Sequence, residues 1–121
     1  MVLALADWFE VAIISRRIER DRKRLGPREL VGALRARGAE HRMRGPAARA
    51  RLKQIIRVVD RLFSSGPNCY RRALIEMAMD PDAATETLHM GLSAKGSLVE
   101  GHAWLDSSPD KGGGYQAELS V

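Results

Sequence analysis

The stretch Pro67-Asn68-Cys69-Tyr70-Arg71-Arg72-Ala73-Leu74 decides the fold. It holds the only cysteine of the chain. Gly66 and Pro67 break any helix arriving from upstream. Beyond them, Ala73, Leu74, Met77 and Ala78 recur at helical spacing. Cys69 is therefore expected in the first turn of a new helix, with Asn68 as its N-cap. Such a turn presents free N–H groups and a partial positive charge, and both favour a thiolate. Thirty-three residues later, Gly101-His102-Ala103-Trp104-Leu105-Asp106 reads as a strand carrying a histidine.

Composition sets the frame. A chain of 121 residues, 45% of them hydrophobic, suits one domain with a modest core. A single cysteine excludes an internal disulfide and fits a reducing compartment, here the cytoplasm. Met1 to Ile14 is apolar but interrupted by Asp7 and Glu10, with no basic front and no small-residue cleavage site. It is expected to be neither a signal peptide nor a membrane span. Charge is uneven. Residues 1–60 carry 15 Lys and Arg against 7 Asp and Glu, whereas residues 61–121 carry 5 against 8. The basic first half either solvates long helices or meets an anionic partner: an acidic peptide, an anionic membrane surface or nucleic acid.

From the N-terminus, a first helix is expected over about Val2 to Arg24, with Leu3, Ala6, Phe9, Ala12, Ile13 and Ile18 as its apolar residues. Arg16 to Arg24 should project into solvent. Pro27 opens a second helix with the face Leu30, Val31 and Leu34, closed by Gly38. Gly45-Pro46 opens a third, Ala47 to Ser64, whose face is Leu52, Ile55, Ile56, Val59, Leu62 and Phe63. Its other face holds Arg49, Arg51, Lys53, Arg57 and Arg61. No aromatic residues interleave with these, so nucleic-acid binding is not expected. The cysteine helix should stop at Asp80-Pro81. Then the period changes to two. A stretch from Thr85 that ends near Lys95-Gly96-Ser97, then Val99 to Asp106 and Tyr115 to Val121, read as three strands, the last two joined by the Pro- and Gly-rich loop 107–114. The expected fold is α+β: N-terminal helices (1–66), then the cysteine helix and a three-stranded antiparallel meander (67–121).

Cys69 alone would be an ordinary small buried hydrophobe. Its place at a helix start, with His102 on a strand, suggests a nucleophile and a general base. Trp104, two residues on, shares the sheet face of His102. His41 and His89 look structural. One cysteine and three scattered histidines do not make a zinc spacing, and no cofactor is expected. A triad needs an orienting acid. Asp106 lies four residues along the same strand, roughly 13 Å from His102, and is out of reach. Across a final hairpin, Glu118 would face His102, with Asp110 in the loop as the alternative.

A helix-start cysteine followed by a strand histidine resembles papain-like and transglutaminase-like cysteine enzymes. More closely, the chain resembles the lasso-peptide leader peptidases, the lasso peptide biosynthesis B proteins. Their pattern is a Cys-Leu-x-Arg-Ser-Leu-like helix start, an Ile-Gly-Val-like strand and His-Ala-Trp-Val-Glu. Here these read Cys69-Tyr70-Arg71-Arg72-Ala73-Leu74, Met90-Gly91-Leu92 and His102-Ala103-Trp104-Leu105-Asp106. The resemblance implies a transglutaminase-like core and a bacterial cysteine protease that removes the leader of a ribosomally made precursor. It assigns Cys69 as nucleophile and His102 as base. The family's acid is usually an aspartate beyond the histidine strand. No aspartate follows Asp110 here, so Glu118 stands in. No strand-rich leader-binding module precedes the helices, which implies a separate leader-binding protein and a macrocyclase as partners. The alternatives are a non-catalytic peptide-binding or scaffold module, or another amidase or acyltransferase on the same core.

Overall fold

Two Gly-Pro pairs punctuate the helices in the same way. Gly26 and Gly45 are extended N-caps, and Pro27 and Pro46 take the first helical position, where a missing N–H costs nothing. A computed structural model describes residues 2–63, 65–95, 98–108 and 117–121. The elements run α1 (Val2–Asp21), α2 (Pro27–Ala39), α3 (Pro46–Arg61), α4 (Cys69–Met79), α5 (Pro81–Ala84), β1 (Leu88–Lys95), β2 (Leu98–Leu105) and β3 (Ala117–Ser120). The architecture is α+β, as expected. No helix among the described residues is long and apolar enough to cross a membrane.

Helix α4 is central. Leu74, Ile75, Met77, Ala78 and Met79 are wholly buried, against α1, α2 and α3 on one side and the sheet on the other. Leu88, Ala103 and Leu105 form the inner face of the sheet. Burial of each large aliphatic side chain contributes roughly 1.5–3 kcal/mol, so this helix carries much of the core energy.

Helix α1 differs from the expected face. Val11, Ile14, Ser15 and Ile18 are buried, whereas Phe9 is 71% and Ile13 50% exposed. Both faces of α1 are apolar, and the one bearing the buried hydroxyl won. Ser15 Oγ donates to the Val11 carbonyl at 2.6 Å, so its burial leaves no unmet donor. Nor does the segment 16–24 simply project: Ile18 is buried and Glu19 pairs inward. On α3, Leu62 is 77% exposed because it has become the C-cap.

Gly38 lies inside the last turn of α2 rather than beyond it. Its role is contact. A Cβ at Gly38 would strike the Met77 carbonyl and lie 3.1 Å from Ala84 Cβ. The bare backbone lets α2 touch α4.

The short helix α5 was not anticipated. Asp80 creates it: its side chain accepts from Asp82 N at 3.0 Å, while Arg49 Nε donates to its other oxygen at 2.7 Å. Arg49 is thus a structural cation, not part of a solvent-facing basic row.

The sheet order is β2-β1-β3, wholly antiparallel, with β1 in the middle. A meander would have put β2 there. The physical reason lies at the chain end. Leu88 and Val121 exchange backbone hydrogen bonds of 2.9 and 2.8 Å. Arg35 Nη2 donates to the carbonyls of Val121 and Glu86 at 2.6 and 2.8 Å. These contacts hold the last strand against β1 and leave β2 at an edge.

Substitution of Gly38 by alanine is expected to lower stability by about 1–3 kcal/mol, the usual range for overpacking. Urea unfolding followed by circular dichroism measures it. An unchanged midpoint would mean that α2 and α4 can separate without loss.

Candidate active site

The geometry starts at the N-terminus of α4. Asn68 is extended, and its side chain accepts the Arg71 N–H at 2.9 Å, so it is the N-cap. Its own N–H donates to Asp60 Oδ2 at 2.9 Å. Cys69 follows, half-buried. Its Sγ accepts the N–H of Ala103 at 3.2 Å. That amide belongs to the peptide bond following His102. The first turn of α4 therefore abuts edge strand β2 at the histidine.

Two clefts meet there. One, of about 420 Å³, runs between α3, α4 and the far half of β2. The other, of about 470 Å³, lies between the α1–α2 junction and the inner sheet face. Cys69, His102 and Ala103 line both.

His102 and Trp104 share a face, as alternation requires. Their rings stack 5.4 Å apart with planes 20° from parallel. Trp104 also stacks on His89, opposite it on β1, at 5.5 Å and 20°. His89 is more engaged than the sequence suggested. Its Nε2 meets Asp106 Oδ1 at 2.6 Å, and its Nδ1 meets Ser120 Oγ at 3.2 Å. Asp106 thus serves His89, in keeping with its distance along the strand from His102. His41 pairs with Glu10 at 2.7 Å.

The hairpin argument for Glu118 does not hold. β3 pairs with β1, not β2. Gly91 is the register partner of His102 on one side and of Glu118 on the other. The two backbone positions thus lie two strand spacings apart, roughly 9.5 Å, in one row across the sheet. Asp110 lies outside the described residues.

Sequence reading missed the support beneath the cysteine. Arg71 is fully buried, yet every side of its guanidinium is met. Nε donates to Asp60 Oδ1 at 2.6 Å, Nη1 to Glu19 Oε1 at 2.6 Å, and Nη2 to the carbonyls of Gly66 and Asp60 at 2.8 and 3.2 Å. It lies over the Phe63 ring, 4.1 Å from the centroid. Asp60, also fully buried, further accepts from Arg72 Nη1 at 2.9 Å. A signal was available: Asp60 falls on the apolar stripe of α3, and Arg71 on that of α4. Opposite charges on two buried faces call for a pair.

The remaining titrations follow from burial. Burial raises the Glu19 carboxyl, but the hydrogen bond from Arg71 and the nearby Arg22 outweigh it and hold it below its ordinary range. Burial pushes Glu76, which lines the first cleft, above the usual range, with Lys53 opposing. Burial likewise raises the Tyr70 phenol, opposed by Arg22, whose guanidinium rests 5.4 Å above the ring.

Among the described residues no group of three or more His, Cys, Asp or Glu could hold a metal ion. Comparison with models of known families, with curated proteins and with solved structures found no match.

Two measurements follow from the buried charges. Asp60→Ala strands Arg71 and is expected to cost about 3–5 kcal/mol in urea unfolding; a loss under about 1 kcal/mol would show that the guanidinium finds water instead. Glu19 carries the opposite pH signature to a buried neutral acid. Its lowered carboxyl contributes stability above its ordinary value of 4.5, and that contribution is lost as pH falls through the folded-state value. Between about pH 6 and about pH 3, Glu19→Gln should lose less stability than the wild type. Equal losses would remove Glu19 from the acid limb.

Proposed function

We propose that the chain is a cysteine peptidase with a papain- and transglutaminase-like core, cleaving the leader from a lasso-peptide precursor. The observation that carries this reading is the contact of Cys69 Sγ with the His102–Ala103 peptide, where both clefts meet. That contact seats the helix-start thiol against the backbone of the histidine strand, and His102 lines both clefts together with Cys69. In the proposed reaction the Cys69 sulfur attacks the scissile carbonyl carbon, and His102 takes the thiol proton. The C–N bond breaks, and His102 protonates the leaving amine. Water then hydrolyses the thioester, releasing the new carboxyl terminus and restoring the thiol. The Cys69 N–H, in the first turn of α4, is the proposed oxyanion donor. Glu118 remains the proposed orienting acid by row alone, with Gly91 between it and His102. On this reading the protein works without a cofactor in a bacterial cytoplasm, alongside a separate leader-binding protein and a macrocyclase.

A peptide-binding module without catalysis is the second reading. The Sγ contact with Ala103 N–H favours it too, because a sulfur used as an acceptor can serve packing alone.

Incubation with precursor peptide and a leader-binding protein, read by mass spectrometry, separates them. The expected outcome is a released leader fragment, slowed roughly 10³-fold or more by Cys69→Ala or His102→Ala and only partly by Glu118→Gln. Equal cleavage by wild type and Cys69→Ala would end the peptidase reading. No cleavage by the wild type, with precursor still bound, would favour the module.

A further inference from the structure

The two clefts that share Cys69 differ sharply in chemistry. Four cations and one carboxylate line the first: Lys53, Arg57, Arg61 and Arg72 against Glu76. Two of these cations are already answered. Lys53 Nζ lies 3.7 Å from Glu76, and Arg72 pairs with the buried Asp60 at 2.9 Å. Arg57 and Arg61 are not. They are exposed, one turn apart on α3, and among the described residues neither has an ion-pair partner. Glu76, the one carboxylate of the cleft lining, is already engaged by Lys53 at 3.7 Å. A helix C-terminus welcomes Arg61, but Arg57 stands a full turn earlier and gains nothing from the dipole.

The second cleft is apolar. Tyr70, Met90, Leu92 and Leu119 line it, and its cation Arg22 is occupied over the Tyr70 ring and by Glu19 at 3.2 Å. Along β2 it lies at the Gly101 end, and the basic cleft at the Trp104 end. A peptide laid across Cys69 must enter both.

We infer that the cleft between α3 and α4 binds an acidic stretch of the peptide substrate, and that the cleft on the other side of Cys69 takes an apolar side chain. This deepens the peptidase reading and rests on it for the cutting step. Arg57 and Arg61 are then specificity residues: they hold carboxylates in solvent-accessible space, so the preference weakens with salt.

The test uses synthetic peptides in which Asp-Asp, Asn-Asn or Lys-Lys lies on one side of a cleavage point and Leu on the other, in both orders. Wild type should cleave the Asp-Asp peptide, in one order, with kcat/KM roughly three- to tenfold above the Asn-Asn peptide, as two exposed ion pairs allow. The gain should sit in KM. The double variant Arg57→Glu, Arg61→Glu should lose that gain and cleave Lys-Lys in preference to Asp-Asp instead. Arg57→Gln, Arg61→Gln should lose the gain without reversing it. Equal kcat/KM for Asp-Asp and Asn-Asn in wild type, or a preference that survives the double variant, overturns the inference while leaving the peptidase reading intact. Binding separates the opposite case. If wild type cuts no peptide, but Cys69→Ala binds fluorescein-labelled Asp-Asp peptide more tightly than Asn-Asn and the Arg variants abolish the difference, the cleft assignment stands and the peptidase reading falls. No difference in binding, with no cleavage, ends both.

Discussion

Moving a guanidinium and a carboxylate out of water costs several kcal/mol per ion unless the protein returns equivalent contacts. Arg71 and Asp60 are both fully buried, so the chain must supply them. It does so from four places: Asp60 on α3, Glu19 on α1, the Gly66 carbonyl in the connection, and the Phe63 ring. The second oxygen of Asp60 holds the N–H of Asn68, the cap of α4. One buried carboxylate thus fixes both the first residue outside the helix and the third residue inside it, and Cys69 lies between them. Such a pair need not add net stability over well-packed apolar residues. What it fixes here is position, because each contact has a direction.

The sheet is arranged around the same end of α4. With β1 central, no other described strand pairs with β2, and an amide of its far edge meets the sulfur of Cys69. Behind it, His102, Trp104 and His89 form one ring stack, and Asp106 and Ser120 anchor the far imidazole. His102 therefore sits on a supported platform rather than on a lone strand.

Legibility in the sequence varied with how local the cause was. The start of α4 could be read because Gly66, Pro67 and Asn68 act within one turn. Its stop at Asp80-Pro81 has the same local origin. Helix α1 could not be oriented, since apolar residues occupy both its faces and only the partners decide. Gly38 read as a terminator because glycine's other use, close approach, needs a second helix to be seen. The strand order was lost for a similar reason: nothing within residues 107–121 announces that Val121 will pair with Leu88. The cysteine and histidine are legible as residue types, whereas the buried pair that holds the cysteine's turn, Arg71 and Asp60, shows its role only once α3 and α4 are packed together.

The clamp under Cys69 also determines where damage would register. Glu19 is 52 residues from Arg71 in sequence, and Asp60 is 11, yet both hold the turn that carries the thiol. Neither lines either of the two clefts that meet at Cys69. In a genetic screen for loss of the proposed peptidase activity, lesions would therefore cluster at these remote acids as well as at the cysteine. Such alleles would resemble active-site defects while leaving every cleft-lining residue in place.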